Sequence, residues 1–256
     1  MANPKNVVLS LIYSEQFELE LSMSSHIDIN FDFRSDTPPG KDPDSFSPTL
    51  RTFHKLLWSK PLPSGALFDL DDTKHGIYLH HQSELGEFFL SSDTATHTFS
   101  RWASMAHIIN QVNSEEIEVF RKLAYTMGSM IIFPGNRIEG KSTINGARGF
   151  HPLIKDRIDL TLECIRRHYK AEVSPLSETL TRYQDFFALF QNFQGYVEFF
   201  LLQDLVSQDF SSIQFLMPFE NFKTPAVPKT LDGYLSYKDL TIKYINARNQ
   251  RILKAA

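Results

Sequence analysis

Residues 78–102 read YLHHQSELGEFFLSSDTATHTFSRW, and they decide how the chain is read because two apolar runs stand on either side of a turn signal. Tyr78 and Leu79 lead into His80 and His81, and after Gly86 a second run, Phe88 to Leu90, ends in Ser91, Ser92, Asp93 and Thr94. Short aromatic and branched runs bounded by Gly, Ser and Asp are strand signals, and two so close together pair as neighbours. Paired in this way, their ends bring small hydroxyls and imidazoles together. The same texture extends from Asn6 to about Phe133, where VVLSLIY (7–13), FELELSM (17–23), IDINFDF (27–33) and MIIF (130–133) predict further strands. Ser47 to Trp58 and Ser114 to Met127 carry helical spacing instead. From Pro152 onward the spacing changes to threes and fours. PLIKDRIDLTLECIRRHY (152–169), the long run from Pro175 to Val206, and LDGYLSYKDLTIKYINARNQRIL (231–253) predict three or more helices, with Ser211–Val227 returning as a strand and loop. The expected fold is α+β in a single domain, 1–256: a mixed or antiparallel sheet in a sheet-rich portion, 1–150, with a helical portion, 151–256, packed on it.

Composition narrows the function classes. A chain of 256 residues, 42% hydrophobic and 13% aromatic, can bury a sizeable core, which argues against disorder. With 26 Lys and Arg against 30 Asp and Glu, the net charge of −4 gives no global attraction to nucleic acid or anionic lipid. Cys164 is the single cysteine, which excludes an internal disulfide and a Cys-rich zinc site. No apolar run reaches the roughly 18 residues needed to span a bilayer, and MANPKNVVLS has no secretory pattern. The expectation is a cytoplasmic protein with no membrane partner. No metal is expected either: His80 and His81 are adjacent on a strand, point to opposite faces, and cannot share an ion with Asp69, Asp71 and Asp72.

A second polar stretch, FDFRSDTPPGKDPD (31–44), places Arg34 after an alternation of Ile27, Ile29, Phe31 and Phe33 with Asp28, Asn30 and Asp32. Period two puts Arg34 at a strand end on the polar face, beside a turn stiffened by Pro38 and Pro39. A guanidinium so placed suits bidentate grip of a phosphate or carboxylate. It equally suits a pair with Asp36 or Asp42 that only ties the turn down. In the same way, Asp93 or Thr94 could serve simply as a helix cap.

The order of these features resembles the cholera-toxin and pertussis-toxin type of ADP-ribosyltransferase. In that family a strand-borne arginine in an R-x-D-x-x-P-P context, here Arg34 to Pro39, precedes a histidine and then a Ser-Thr-Ser strand. The resemblance covers roughly residues 30–100 and implies that Arg34, with Asp36, holds NAD together with Ser91, Ser92 and Thr94, assisted by His80 or His81. It also implies a catalytic glutamate on a later strand. Here the pattern departs from the family, because no Gln/Glu-x-Glu lies on a downstream strand: Glu116-Ile117-Glu118 has the spacing but falls in a helix. Glu139 and Glu163 remain as candidates, although Glu163 also fits helix-surface pairing with Arg166 or Arg167. The resemblance further implies NAD as substrate and an intracellular bacterial toxin or phage-defence effector. Its acceptor would be RNA, DNA or protein, with RNA favoured, and an antitoxin protein could restrain it. The chain as a whole also resembles a bacterial family of no assigned function that shares stretches like SDTPPGKDPD, LLWSKPLP, FPGNRIEGK and DLTLECIRRHY.

Two other readings rest on residues 135–157, GNRIEGKSTINGARGFHPLIKDR. Arg137, Lys141 and Arg148, with Lys155 and Arg157, would form an anionic-contact surface for NAD phosphates or an RNA backbone, making the protein a non-catalytic RNA- or partner-binding module. Gly135 to Ser142 also fits the letters of a P-loop, as in a nucleotide hydrolase, but Gly146, Gly149 and Pro152 are expected to break the helix such a loop needs. The aromatic run from Phe186 to Phe200 has core spacing.

Overall fold

A computed structural model describes residues 26–255, so the strands expected at 7–13 and 17–23 lie outside the described residues. The first described segment departs from expectation. Ile27, Ile29 and Phe33 are buried while Asp28 and Asn30 are exposed, yet residues 27–33 turn repeatedly rather than forming a strand. The carboxylates explain this: Asp28 accepts the Asn30 N–H at 2.9 Å and Asp32 accepts the Arg34 N–H at 3.1 Å. Aspartates that capture backbone donors two residues on compete with a strand ladder. Phe31 N–H and Ser35 N–H then close turns on the carbonyls of Asp28 and Asp32. Arg34 therefore sits in a turn.

Two consecutive helices follow, α1 (Pro43–Phe46) and α2 (Pro48–Trp58), each with proline in its first turn and a side-chain cap before it, Asp42 and Ser47. The hairpin then forms as expected, from β1 (Leu79–Ser83) and β2 (Gly86–Thr94). After α3 (Ala106–Ile109) and α4 (Ser114–Leu123) comes β3 (Met130–Pro134), buried at all five positions as its MIIF run requires. The three strands make one antiparallel sheet in the order β1, β2, β3. Leu79 faces Leu90, and Ser91 to Thr94 face Phe133 to Met130. β1 therefore begins opposite Leu90, and residues 91–94 of β2 have β3 on one side and, among the described residues, no strand on the other.

Helices dominate the rest: α5 (Ile144–Phe150), α6 (Ile158–Tyr169), α7 (Ser177–Arg182), α8 (Gln184–Ala188), α9 (Phe193–Phe199) and α10 (Leu231–Ala255). The run from Pro175 to Val206 breaks into three short helices, with left-handed backbone at Gln191 (φ 65°) and Leu201 (φ 54°). Its aromatics, Phe186, Phe190, Tyr196 and Phe200 among them, are buried core. Ser211–Val227 forms no strand beyond an isolated bridge between Val206 and Ile213. No described helix is long and apolar enough to cross a membrane.

Buried side chains from the sheet and from the C-terminal helices belong to one hydrophobic cluster. α10 locks the two portions together through polar groups. Arg248, fully buried, donates to the carbonyls of Gly128, Met130 and Phe200. Asn249 accepts the Gly128 N–H at 2.6 Å and donates to Thr126 at 3.1 Å. Gly128 has to be glycine here, since a Cβ would stand 2.5 Å from the Ile245 carbonyl and 2.6 Å from Asn249 Oδ1. Gly128→Ala is expected to cost about 2 kcal/mol by overpacking and to lower the calorimetric melting midpoint by about 4–8 °C without altering the circular-dichroism spectrum at 20 °C, taken as ordinary room temperature.

Candidate functional site

Among the described residues, the end of β2 that outruns β1 is a sheet edge with no strand beside it, and such an edge leaves backbone donors to satisfy. Asp44 satisfies one of them. α1 carries this carboxyl inward, where Oδ2 accepts the Thr94 N–H at 3.1 Å and Oδ1 has no partner among the described residues. Only 9% of Asp44 is exposed. Burial, with the charges of Asp93 and Asp42 nearby, raises its pKa well above the ordinary carboxylate value, against the opposing pull of Thr94 N–H and Arg148. The carboxyl is thereby biased toward its neutral form.

α2 supplies the next groups from one face, Arg51, His54 and Trp58, at spacings of three and four. His54 is fully buried, with Nδ1 accepting the Trp58 indole N–H at 3.0 Å and Nε2 lying 2.9 Å from Ser92 Oγ. An indole nitrogen can only donate, so Nδ1 carries no proton and the neutral ring holds its proton on Nε2. His54 therefore donates to Ser92 and cannot act as its base. Burial, assisted by Arg248, lowers the imidazole pKa to about 3 and keeps it neutral. Ser92 is thus an oriented hydroxyl with its own proton left to donate, rather than an activated nucleophile.

Around this centre lie other groups with unspent hydrogen-bonding capacity. Arg51 donates through Nη2 to the carbonyls of Asp72 (2.6 Å) and Ile77 (3.0 Å), leaving Nε without a partner. The Tyr78 hydroxyl is buried beside Ser92 without a well-formed hydrogen bond among the described residues, and burial, with the charge of Asp44, raises its pKa against the pull of Ser92. Asn145, from α5, donates to Ser91 Oγ at 3.0 Å and to the Ser92 carbonyl at 3.2 Å, while its own carbonyl oxygen is unpartnered. Asp44, Arg51, Tyr78, Ser91 and Ser92 all line one open cavity of about 590 Å³, with Asp72 to Ile77 forming another part of its wall. Unsatisfied buried polar atoms are rare in folded proteins, and because Asp44, Arg51 and Tyr78 each carry one and line this cavity, it is the candidate site.

Of the residues expected from sequence to hold a ligand, Ser91 and Ser92 line this cavity, and Thr94 contributes through its backbone. The others are engaged elsewhere. Arg34 pairs with Asp32, and with Glu118 at 3.0 Å, and lies over the Tyr125 ring. Asp36 accepts Ser47 Oγ and Thr49 N–H at 2.6 and 3.0 Å, which fixes the start of α2. His80 faces Glu87 at 2.8 Å, on the strand face opposite His81. His81 is buried against Phe68 and Phe88 with Nδ1 on the Asp69 carbonyl. Glu139 stands in a turn with φ 53°, 70% exposed at its side chain and 3.7 Å from Lys141. Glu163 is buried on α6, but Arg166 and Arg167 outweigh the effect of burial and keep its pKa below the ordinary value.

The basic surface expected over 137–157 does not exist as one surface. Arg137 is exposed, but Lys141 bonds Glu178 at 2.8 Å, Arg148 is fully buried against Asp93, and Arg157 is buried against Asp159. α5 does form through Gly146 and Gly149, contrary to expectation, because Thr143 caps it on the Gly146 N–H. It starts after Lys141-Ser142, however, and Gly135 N–H is spent on the Phe89 carbonyl. Gly135 to Ser142 thus lacks the phosphate-cradling geometry of a P-loop. No group of three or more potential metal ligands occurs among the described residues. Asp44, Arg51, His54 and Tyr78 are not singled out by the sequence, whereas Asn145 belongs to the polar stretch around Glu139 that it does mark; the His-x-x-x-Trp spacing on α2 is the one local signal for the others.

The chain belongs to a family of unknown function, DUF6994, whose model matches residues 27–252. No curated protein and no solved structure matches it.

The neutral His54 sets a pH dependence of stability. The unfolded imidazole protonates at its ordinary value near 6.5, the folded one only near 3, so stability is full above 6.5 and is lost as pH falls through this window. His54→Gln is expected to cost about 1–3 kcal/mol at pH 8 through the lost hydrogen bonds, yet to show a shallower decline than the wild type in urea melts between pH 6.5 and 4, taken within the window given by burial of the ring.

Proposed function

We propose that the protein is an NAD-consuming ADP-ribosyltransferase whose nicotinamide-ribose subsite is the cavity at the open end of β2. The observation that supports this reading is the buried Asp44 carboxyl, one oxygen unpartnered among the described residues, lining the same cavity as Ser92 and the Tyr78 hydroxyl. Hydroxyls at the end of a central strand suit the ribose. Arg51 Nε suits a phosphate oxygen or ribose hydroxyl. Asp44 takes the part that the sequence resemblance assigned to Glu139 or Glu163.

In this reaction the bond between nicotinamide nitrogen and ribose C1′ breaks, and nicotinamide leaves as a neutral molecule with the electron pair. C1′ becomes oxocarbenium-like, and an ionised Asp44 stabilises that charge more strongly than it does the ground state. A hydroxyl, amine or carboxylate of the acceptor then bonds to C1′; an O–H or N–H acceptor releases its proton to solvent. The acceptor classes are RNA, DNA and protein, and the corresponding biological role is that of a toxin or defence effector restrained by an antitoxin.

Asp44 starts with a raised pKa, and a cationic nicotinamide ring seated beside it favours its ionised form. NAD binding thus releases a proton, and affinity rises with pH until the unliganded Asp44 is itself ionised. The deciding assay incubates the protein with labelled NAD and cell lysate divided into RNA, DNA and protein. Asp44→Asn and Ser92→Ala are expected to lower label transfer by about a hundredfold or more, with melting midpoints within a few degrees of wild type, whereas Arg34→Ala and Glu139→Gln retain transfer. Absence of both transferred label and free nicotinamide would remove the reading.

A further inference from the structure

A second cavity, of about 520 Å³, lies between the segment Lys60 to Pro63 and α9 with the Asn192 that caps it, and shares no lining residue with the first. Its lining joins apolar surface from Pro61, Leu62 and Phe199 to the polar side chains of Lys60, Gln194 and Glu198. Lys60 is unusual among these. Its ammonium stands 4.9 Å from the centre of the Trp58 ring and 4.8 Å from that of Phe199, and among the described residues it has neither an ion-pair partner nor a hydrogen bond. Most lysines that leave bulk water take a carboxylate with them; Lys238, with Glu116 at 2.7 Å, is this chain's example. Lys60 instead meets two ring faces, a wall of prolines and leucine, and the cavity.

We propose that Lys60 is the nucleophile of a second site, one that captures a small aldehyde or ketone as an imine. Lys60, half-buried, lines an open space large enough for a molecule of several carbons, and no partner among the described residues has to be displaced before its amine reacts. In the step itself, the Nζ lone pair of the free amine attacks the carbonyl carbon, forming the C–N bond while the C=O π pair moves to oxygen; oxygen takes up a proton and nitrogen gives one up, leaving the carbinolamine. Its hydroxyl takes up a second proton and departs as water while the nitrogen lone pair forms the C=N bond, and nitrogen loses its remaining proton on passing from iminium to imine. One water is produced, and no oxidant or reductant takes part. Glu198, on the cavity wall, is the carboxylate available to carry protons to the departing hydroxyl.

Burial and the charge of Arg248 lower the Lys60 pKa to about 8, while the two rings favour the ammonium and act the other way. A free amine is the reactive form, so the lowered pKa leaves Lys60 more of it at neutral pH than an ordinary lysine has. This inference is independent of the NAD chemistry, because its residues and its cavity are different.

The test uses the full wild-type chain, so it does not depend on a variant folding. The protein is treated at pH 7 with butyraldehyde and cyanoborohydride, which traps imines as stable amines, and tryptic peptides are quantified by mass spectrometry over time. Lys223 and Lys229, both exposed, serve as internal references. The expected result is capture at Lys60 about tenfold or more faster than at either reference, with a rate that saturates in aldehyde and levels off above about pH 8, as the lowered amine pKa requires. Capture at Lys60 no faster than at Lys223, first order in aldehyde throughout and still rising with pH, would overturn the proposal.

Discussion

The arrangement of the first cavity depends on a buried ion pair, Arg148 with Asp93. Arg148 has no exposed surface, and its guanidinium donates to Asp93, to the Thr94 carbonyl at 2.9 Å and to the Asp156 carbonyl at 2.8 Å. It therefore fixes the last residues of β2 against α5 and against the turn before α6. A guanidinium cannot shed its charge by titrating, so once buried it must keep its carboxylate and carbonyl partners. Burial in turn raises Asp93 to about 6 even beside Arg148. The same carboxylate acts on Asp44, whose raised pKa owes its second cause to the charge of Asp93. One ion pair thus positions Ser91 and Ser92 and biases the carboxyl next to them.

The two faces of β2 are treated differently. Ser91 and Asp93 meet α5, through Asn145 and Arg148; Ser92 meets α2, through His54. On the first face the polar groups largely satisfy one another. Toward the cavity they do not: among the described residues, Asp44 Oδ1, Arg51 Nε and the Tyr78 hydroxyl are left over. Leaving a buried polar atom unpaired costs about 1–3 kcal/mol, and three on one cavity are a substantial charge against stability. Such a cost is sustained where a ligand's own atoms complete the network.

What could be read from the sequence was whatever depends on short-range periodicity. The hairpin of β1 and β2, α2, β3 and α10 all follow from apolar spacing and caps. Arg34 was misread because alternation of Ile and Phe with Asp fits a strand and an Asp-rich turn equally well. Only the competition of Asp28 and Asp32 for nearby N–H groups separates the two. Likewise, charge on Arg148 and Arg157 suggested a surface, and sequence gives no sign that each finds a carboxylate inside. The pairs that make the site, Thr94 with Asp44 and Ser92 with His54, join residues 50 and 38 positions apart. No local pattern encodes them.

One side chain stands between the first site and Lys60. Trp58 closes α2, and its indole N–H fixes His54 as the Nε2 tautomer that orients Ser92. The ring of the same indole lies under the Lys60 ammonium and packs on Phe199 and Phe200. Its in-plane N–H and its ring face are thus both engaged, and a core that packs it on two phenylalanines holds the His54 tautomer, and with it the Ser92 hydroxyl, in one orientation.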